Sequence, residues 1–587
     1  MRQSTIDWGA FRNSLARHRE SVLGLLLVLL ALLAFANSFP GAFITDDITI
    51  VARNPLVNSL DLRAIFTTDY WGGDAKQAVL FRPLTILSFA LNQRLLGPEA
   101  WAFHLVNVIL HGVVSLVLFC LLRRWGIWPW SAFFAAALFA VHPMHGEVVN
   151  VMVGRSELLA ALFFLLALYF AAAEEPRSLA AVFVLFGLAI LSKESAITFL
   201  PALLLSDQYF RRGLKQRLPL YGGLLILTGG WLLYRKFGLV NGLRVPTEFS
   251  SEDAAIFQPL QLLSAPARVL TALKIQVIYL WKLLVPIKLQ TIYSPQSVAA
   301  PVASLFSTWG VIICLVTGLL ASLSVYGWRQ RRLFGLAIPL YAASCVVTAN
   351  IFFVSGVVMA ERSAYLPSVW FCLTLVVLLP VPNFGKDVLQ RGCFVLFTLL
   401  LLFMFTATLV RNRDFRDSVS LWSSGLERDR NNVIAGIFLI DAYTQKYEND
   451  KAIEIGEQIL SNHPDSRRLL EIQARMLMDV GRSDEALLYL ERAIRLMGNA
   501  STFELLTTVV AINAKLGRPV EALKWLDRID PKSRDENYWK YRGNAYAELG
   551  DYAQALVCYR QIGDSPQAPE VKLLIDKLLM KMGKSTE

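Results

Sequence analysis

The chain has 587 residues, of which 55% are apolar and only 18% charged, and its mean hydropathy is positive. Soluble proteins carry about a quarter charged residues, so composition excludes a wholly soluble protein. The net charge of +11 does not point to nucleic acid, because the basic residues fall mostly between apolar runs, where they orient a membrane protein.

The charge deficit is local: residues 22–410 form a series of apolar runs, and from Arg411 onward the sequence is that of an ordinary soluble protein. The first run, 22–39, follows Arg2, Arg12, Arg17 and Arg19. No small-x-small cleavage site ends it and many apolar spans follow, so it is expected to be a membrane anchor. About 20 apolar residues cross a bilayer. On that basis the further spans are 101–122, 129–143, 156–173, 178–192, 195–206, 219–236, 304–326, 334–353, 364–380 and 391–410, eleven in all. Segment 84–96 is too short and polar to span. Segment 267–289 carries Arg268, Lys274, Lys282 and Lys288, which suit an interfacial or re-entrant helix.

The loops then alternate in charge. Arg123 and Arg124, Arg177, the group Arg211, Arg212, Lys215 and Arg217, the group Arg329, Arg331 and Arg332, and Lys386 with Arg391 fall on one side with the N-terminus. The charge rule makes that side cytoplasmic and sends the C-terminal domain outside the cytoplasm. The chemically interesting ionisable residues fall on the outer face, under the long loop from Pro40 to Ala100. Charges at membrane-embedded positions are costly and functional, so their convergence predicts one site at the outer leaflet.

Asp46-Asp47 directly follows the first span. Adjacent carboxylates repel, which suits a general base, and they could also hold a divalent ion or cap a helix. Phe81-Arg82-Pro83 offers an arginine able to clamp a phosphate, or to meet lipid headgroups. His142-Pro143-Met144-His145-Gly146-Glu147 lacks the spacing of a zinc hydrolase, so His142, His145 and Glu147 are expected to meet a sugar or phosphate. Arg155 with Glu157 reads as a structural ion pair at the head of the next helix. Lys193-Glu194 interrupts an apolar stretch and must pair internally or bind an anion. Glu361-Arg362 adds a second phosphate candidate, with Tyr365 placed for an isoprenoid or a sugar face. His104 is a further candidate, whereas His111 is expected to pack internally. No glycine-rich nucleotide loop is present, and the six cysteines form neither a metal set nor a disulfide framework.

Past Arg411 the period changes. Ala452, Ala486, Ala522 and Ala555 recur at intervals of 34, 36 and 33 residues, and Gly481, Gly517 and Gly550 precede three of them, with Gly583 another 33 along. That is the tetratricopeptide pattern, each unit a helical hairpin stacked on the next. About four repeats are expected, closed by a helix at 571–582, and such solenoids bind peptides or proteins. The reading is all-α: a polytopic membrane domain over 1–410, a linker over 411–431 and a repeat domain over 432–587.

The ordered set Thr45-Asp46-Asp47, Asn54-Pro55, Phe81-Arg82-Pro83-Leu84-Thr85, His104-Leu105-Val106-Asn107, His142-Pro143-x-His145-x-Glu147, Gly154-Arg155-x-Glu157-Leu158, Lys193-Glu194 and Glu361-Arg362-x-x-Tyr365-Leu366-Pro367, followed by repeats, resembles the transmembrane and tetratricopeptide repeat-containing O-mannosyltransferases and their bacterial relatives, of the GT-C superfamily. The resemblance implies a multi-pass enzyme that moves a sugar, mannose in the best-known members, from a polyprenyl-phosphate donor to protein serine or threonine. It implies that one or both of Asp46 and Asp47 act in the first outer loop. Arg82, Lys193 and Arg362 are then the cations for the leaving phosphate, with no cofactor required. The partners are the lipid-linked donor, acceptor proteins on the repeats, and membrane lipids. Three other readings stand beside it. A transferase acting on an envelope lipid or glycan shares the site, a scaffold would tolerate loss of Asp46 and Asp47, and a transporter would need an internal symmetry that the sequence lacks.

Overall fold

The computed structural model describes residues 8–73, 80–173, 175–239, 251–378, 388–497, 503–562 and 568–581; Arg2, Lys386 and Gly583 lie outside them. The regular structure among the described residues is helical apart from one isolated bridge, Ile292 to Ala360. The chain falls into two compact units, Met1–Ala435 and Gly436–Glu587.

In the first unit, five helices are long and apolar enough to cross a membrane: His18–Ser38, Ala100–Arg124, Met152–Ala171, Thr308–Arg329 and Gln390–Phe415. Pro129–Ala140 and Pro143–Asn150 make a sixth if taken as one span bent by 48°. The other expected spans fall on Pro176–Ser192, Phe199–Tyr209, Phe334–Cys345 and Tyr365–Leu378, each under 18 residues, and on Leu214–Phe237, which carries Lys215, Arg217, Arg235 and Lys236. A 12-residue helix rises about 18 Å, well short of a hydrocarbon core about 30 Å thick.

The faces of these helices show which solvent they suit. Val311, Leu315 and Leu319, four residues apart on Thr308–Arg329, are all exposed, as are Leu25, Leu29 and Leu33 on the first helix and Leu399, Leu402 and Phe403 on Val388–Asn412. Apolar stripes of this length would be a liability in water and are at rest against lipid. The opposite faces close a core in which Leu27, Ala31 and Phe35 meet Val108, Val114, Phe139 and Leu165. Trp125 stacks on Trp370 with ring centroids 5.9 Å apart.

The loop between the first two spans is folded. Asn54 caps Pro55–Ser59 by accepting from the Leu56 amide at 2.9 Å, and its own amide donates to the Tyr70 carbonyl at 3.2 Å, which accounts for the Asn-Pro pair. Leu62–Thr67 and Pro83–Leu96 follow. The interfacial helix expected over 267–289 falls on Ala265–Leu284, whose Ile275, Tyr279 and Leu283 pack into a second core with Tyr293, Val358 and Met359. Residues 411–431 are helical at Arg413–Phe415 and Ser418–Arg428, with Leu421 and Trp422 buried.

The second unit is a run of helix pairs: Asn449–Asn462 after Val433–Gln445, then Arg467–Asp479 with Ser483–Met497, Phe503–Lys515 with Pro519–Leu526, and Glu536–Glu548 with Tyr552–Arg560. Ala568–Lys581 follows. Gly481, Gly517 and Gly550 take φ of +81°, +66° and +81° in the turns, a left-handed conformation that costs glycine nothing. These three turns precede the buried Ala486, Ala522 and Ala555, and Ala452, whose preceding turn has Tyr447 at φ of +60°, is buried as well.

Candidate functional site

The site starts from a strained corner. Thr45, a β-branched residue, has φ of +51°, a conformation held only where its surroundings impose it. The turn that follows separates two neighbouring carboxylates: Asp46 is exposed and Asp47 is buried. Asp47 Oδ1 accepts from the Val153 amide at 2.9 Å and Oδ2 accepts from the Ile44 amide at 3.3 Å. It thereby ties the first loop to the Met152–Gly154 turn. Burial, with a smaller push from the Asp46 charge, raises the Asp47 carboxyl to about 7 against the pull of its backbone partners.

The Met152–Gly154 turn is itself pinned. A side chain at Gly154 would place a Cβ 2.2 Å from the Val148 carbonyl oxygen, so only glycine fits. Asn107 donates to the carbonyls of Val151 and Val149 at 3.3 and 3.4 Å and accepts from Arg155 Nε at 2.8 Å. Arg155 is fully buried and also donates to Asn92 at 2.8 Å, to the Phe103 carbonyl at 3.0 Å and to the Ser88 carbonyl at 3.2 Å, with Phe89 under its guanidinium. The expected pair between Arg155 and Glu157 is therefore corrected. Positions two apart on a helix do not face each other. Arg155 staples three helices through uncharged acceptors, and Glu157 points to Lys193.

Three ion pairs follow. Glu157 holds Lys193 and accepts from Ser156 Oγ at 2.6 Å. Glu194 takes the Arg82 guanidinium in a fork, at 2.9 Å from Nε and 2.5 Å from Nη2, while Arg82 lies over the Tyr70 ring at 5.1 Å. Glu147 accepts both the Arg362 amide, at 2.8 Å, and its guanidinium. Arg362 remains the most open of these cations, its side chain 33% exposed. The pairs are electrostatically joined: Glu147, Glu157 and Asp46 all act on Arg362, and Glu157 acts on Arg82 beside Glu194.

Glu157, Lys193, Ser195, Ser344, Thr348, Arg362 and Tyr365 line one narrow cleft. Lys193, Arg362 and Tyr365 were thus brought together, and Glu157, read only as structural, belongs with them. The hydroxyls of Ser195, Ser344 and Thr348 carried no signal in the sequence, since isolated serine and threonine in apolar runs are commonplace.

The histidines lie apart from the cleft lining. His142 Nε2 donates to the Leu283 carbonyl at 2.9 Å, His145 bonds Ser368 Oγ at 2.9 Å and His104 sits 3.3 Å from the Gly41 carbonyl. His111 packs internally against Tyr365, whose hydroxyl is 2.8 Å from Nδ1, and His145, Phe139 and Tyr365 stack around it. Glu361 pairs with Arg411 at 3.1 Å, and Arg411 with Asp414 at 2.5 Å. Among the described residues, no three His, Cys, Asp or Glu side chains form a metal-holding group.

Burial also raises Glu361 to about 7, whereas the Arg82 guanidinium holds Glu194 down at about 2, its burial notwithstanding. The signs differ. A carboxyl raised on folding contributes stability that is fully present below its unfolded value, near 4, and is lost as pH rises through about 7. Glu194 contributes above its unfolded value and loses that contribution only as pH falls through about 2. The Asp47 carboxyl should therefore lower the unfolding midpoint in detergent increasingly as pH rises from about 5.5 to about 7.5, so that Asp47→Asn gains midpoint relative to the unsubstituted chain across that window. A midpoint with the same pH dependence in Asp47→Asn as in the unsubstituted chain would contradict this assignment.

A bent helical membrane unit with a charged cleft beside an exposed carboxylate, followed by helical repeats, defines a class, and known proteins share it. The family model described as "Dolichyl-phosphate-mannose-protein mannosyltransferase" matches residues 83–231, which include Arg82's neighbour Pro83, His104, Glu147, Glu157 and Lys193. The chain is 30% identical over 414 residues to a protein O-mannosyl-transferase of Caenorhabditis elegans, covering 68% of this chain and 57% of that one. It is 28% identical over 500 residues to protein O-mannosyl-transferase TMTC3 of Mus musculus, covering 78% and 53%, and 29% identical to TMTC4 of Homo sapiens, covering 68% and 60%. The chain thus spans about half the length of the curated relatives it matches. This is a distant, family-level resemblance to protein O-mannosyltransferases, and it makes the chain glycosyltransferase-like.

Proposed function

We propose that the protein transfers a sugar, mannose in the first instance, from a polyprenyl-phosphate donor to the hydroxyl of serine or threonine on proteins outside the cytoplasm. It would do so as a multi-pass inner-membrane enzyme with its cleft and repeat unit on the extracytoplasmic side. The observation that carries this reading is the cleft itself, in which Lys193 and Arg362 stand beside hydroxyls and Asp46 acts electrostatically on Arg362.

Asp46 is the base in this reading. A pKa near 7 would suit Asp47 to the role, but both its oxygens are engaged by backbone amides and it is shut off from solvent. Geometry outranks acidity here, because a base must first reach the proton it takes. Asp47 positions the turn that presents Asp46. The acceptor hydroxyl gives its proton to Asp46 and its oxygen bonds to the anomeric carbon. The bond from that carbon to the phosphate oxygen breaks on the opposite face, inverting configuration, and polyprenyl monophosphate leaves. Arg362 and Lys193 each keep donors free beyond their carboxylate partners, and these meet the charge that grows on the phosphate. Arg82 and Glu194 hold the loop above.

The test is transfer by the purified full chain in nanodiscs, offered polyprenyl-phosphate mannose beside other polyprenyl-phosphate sugars, with envelope proteins as acceptors. Label on protein serine or threonine supports the reading. Label confined to lipid or glycan would move it to the envelope acceptors, and intact donor under every condition would sink it.

A further inference from the structure

A second cavity, of about 680 Å³, is lined by residues from three helices: Glu20, Gly24, Leu25 and Val28, then Leu116, Phe119, Cys120, Arg123 and Arg124, then Tyr169. Its chemistry changes along its length. Leu25, Val28, Leu116 and Phe119 make an apolar trough, with Leu25 exposed. The other end is cationic. Arg123 is held by Glu20 at 2.6 Å and by the Ile127 carbonyl. Arg124 lies over the Tyr169 ring at 4.6 Å and has no carboxylate partner among the described residues.

The position of this trough sets it apart from the cleft. His104, beside Gly41 and the first loop, opens the Ala100–Arg124 helix, and Arg124 ends it. Twenty residues separate them, about 30 Å of helix, which is one hydrocarbon thickness. The trough therefore opens at the other membrane face from Asp46.

We propose that this groove binds one anionic phospholipid, its acyl chain in the trough and its phosphate on Arg124 with Arg123. Charge complementarity commits the occupant. Among the described residues, the one carboxylate that lines the head, Glu20, is already spent on Arg123, which leaves the Arg124 guanidinium on an aromatic face without a carboxylate partner, where a phosphodiester of one negative charge fits. A zwitterionic headgroup would bring its own cation to that arginine.

Cys120 lines the groove and is exposed, and Cys314, also exposed, stands outside it as a reference. The experiment is maleimide labelling of the full chain in phosphatidylcholine nanodiscs, with and without phosphatidylglycerol, read by peptide mass at both cysteines. Phosphatidylglycerol should slow labelling of Cys120 several-fold relative to Cys314. Arg124→Lys should retain that protection and Arg124→Gln should lose it. Should Arg124→Gln fail to fold, Val28→Trp replaces it, since filling the trough should shield Cys120 in either lipid and abolish the difference between them. Equal protection in phosphatidylcholine alone, protection that survives Arg124→Gln, or equal protection by inorganic phosphate would each overturn the proposal. The last would mark a soluble-phosphate site.

Discussion

Asp46→Asn should lower the turnover of sugar transfer by about 10² to 10⁴-fold, the range that a positioned general base supplies. Donor binding should change little, because the exposed Asp46 carboxylate is not what grips the phosphate, so the loss should fall on kcat and spare KM. Asp47→Asn should behave differently. Asparagine keeps one acceptor oxygen for the Val153 amide and turns an amide donor toward the Ile44 N–H, so the turn shifts. Misplacement of this order costs up to about 10²-fold and should move kcat and KM together. Steady-state transfer kinetics of both variants separate the roles. The reverse ranking, with Asp47→Asn dead and Asp46→Asn near normal, would make Asp47 the base.

The second large effect is on stability. Glu157 and Lys193 have side chains only 7% and 12% exposed, and they come from helices 36 residues apart in sequence. Removing either charge leaves the other buried and unpaired, which costs about 3–5 kcal/mol. Glu157→Gln and Lys193→Met should each lower the unfolding midpoint sharply. The double variant should recover most of that loss, because two neutral side chains leave no stranded charge. It should still be slow in transfer, since Lys193 no longer meets the phosphate. Additive losses in the double variant, read by thermal unfolding in detergent, would mean that the two groups do not share one pair.

These two predictions draw on different levels of legibility. Asp46, Arg82, Lys193 and Arg362 stood out in the sequence because a charge is rare where its neighbours are apolar. Their partners did not. Arg155 and Glu157 are close in sequence and were read together, yet one meets Asn107 and Asn92 and the other meets Lys193. Pairing is decided by which helix faces lie against each other, and no local pattern carries that. The histidines were read by type. His142 and His145 suggested ligand contact, but an imidazole also satisfies buried carbonyls and hydroxyls, and here it bonds Leu283 and Ser368.

The number of spans was harder to read than their existence. Hydropathy sees the apolar run from 178 to 206, but the chain breaks it with a short turn at Glu194–Thr198. It breaks the run before Arg155 twice, at Pro143–His145 and Met152–Gly154. Such breaks are tolerated at membrane depth only where other protein covers them. Here they are what delivers Glu147, Arg155, Glu157 and Lys193 to one region. The repeat unit was the reverse case: a small residue every 33 to 36 positions and a left-handed glycine before it are local requirements, so the sequence carried them in full.

The central claim is that the cleft between Lys193 and Arg362 receives the phosphate of a lipid-linked sugar. A diazirine-bearing polyprenyl-phosphate mannose, photolysed with the full chain in nanodiscs and mapped by peptide mass, tests it most directly. The account predicts cross-links within 193–198 and 360–367, competed by polyprenyl monophosphate and weakened in Arg362→Ala. Cross-links confined to the groove between Gly24 and Arg124, or unchanged in Arg362→Ala, would contradict it.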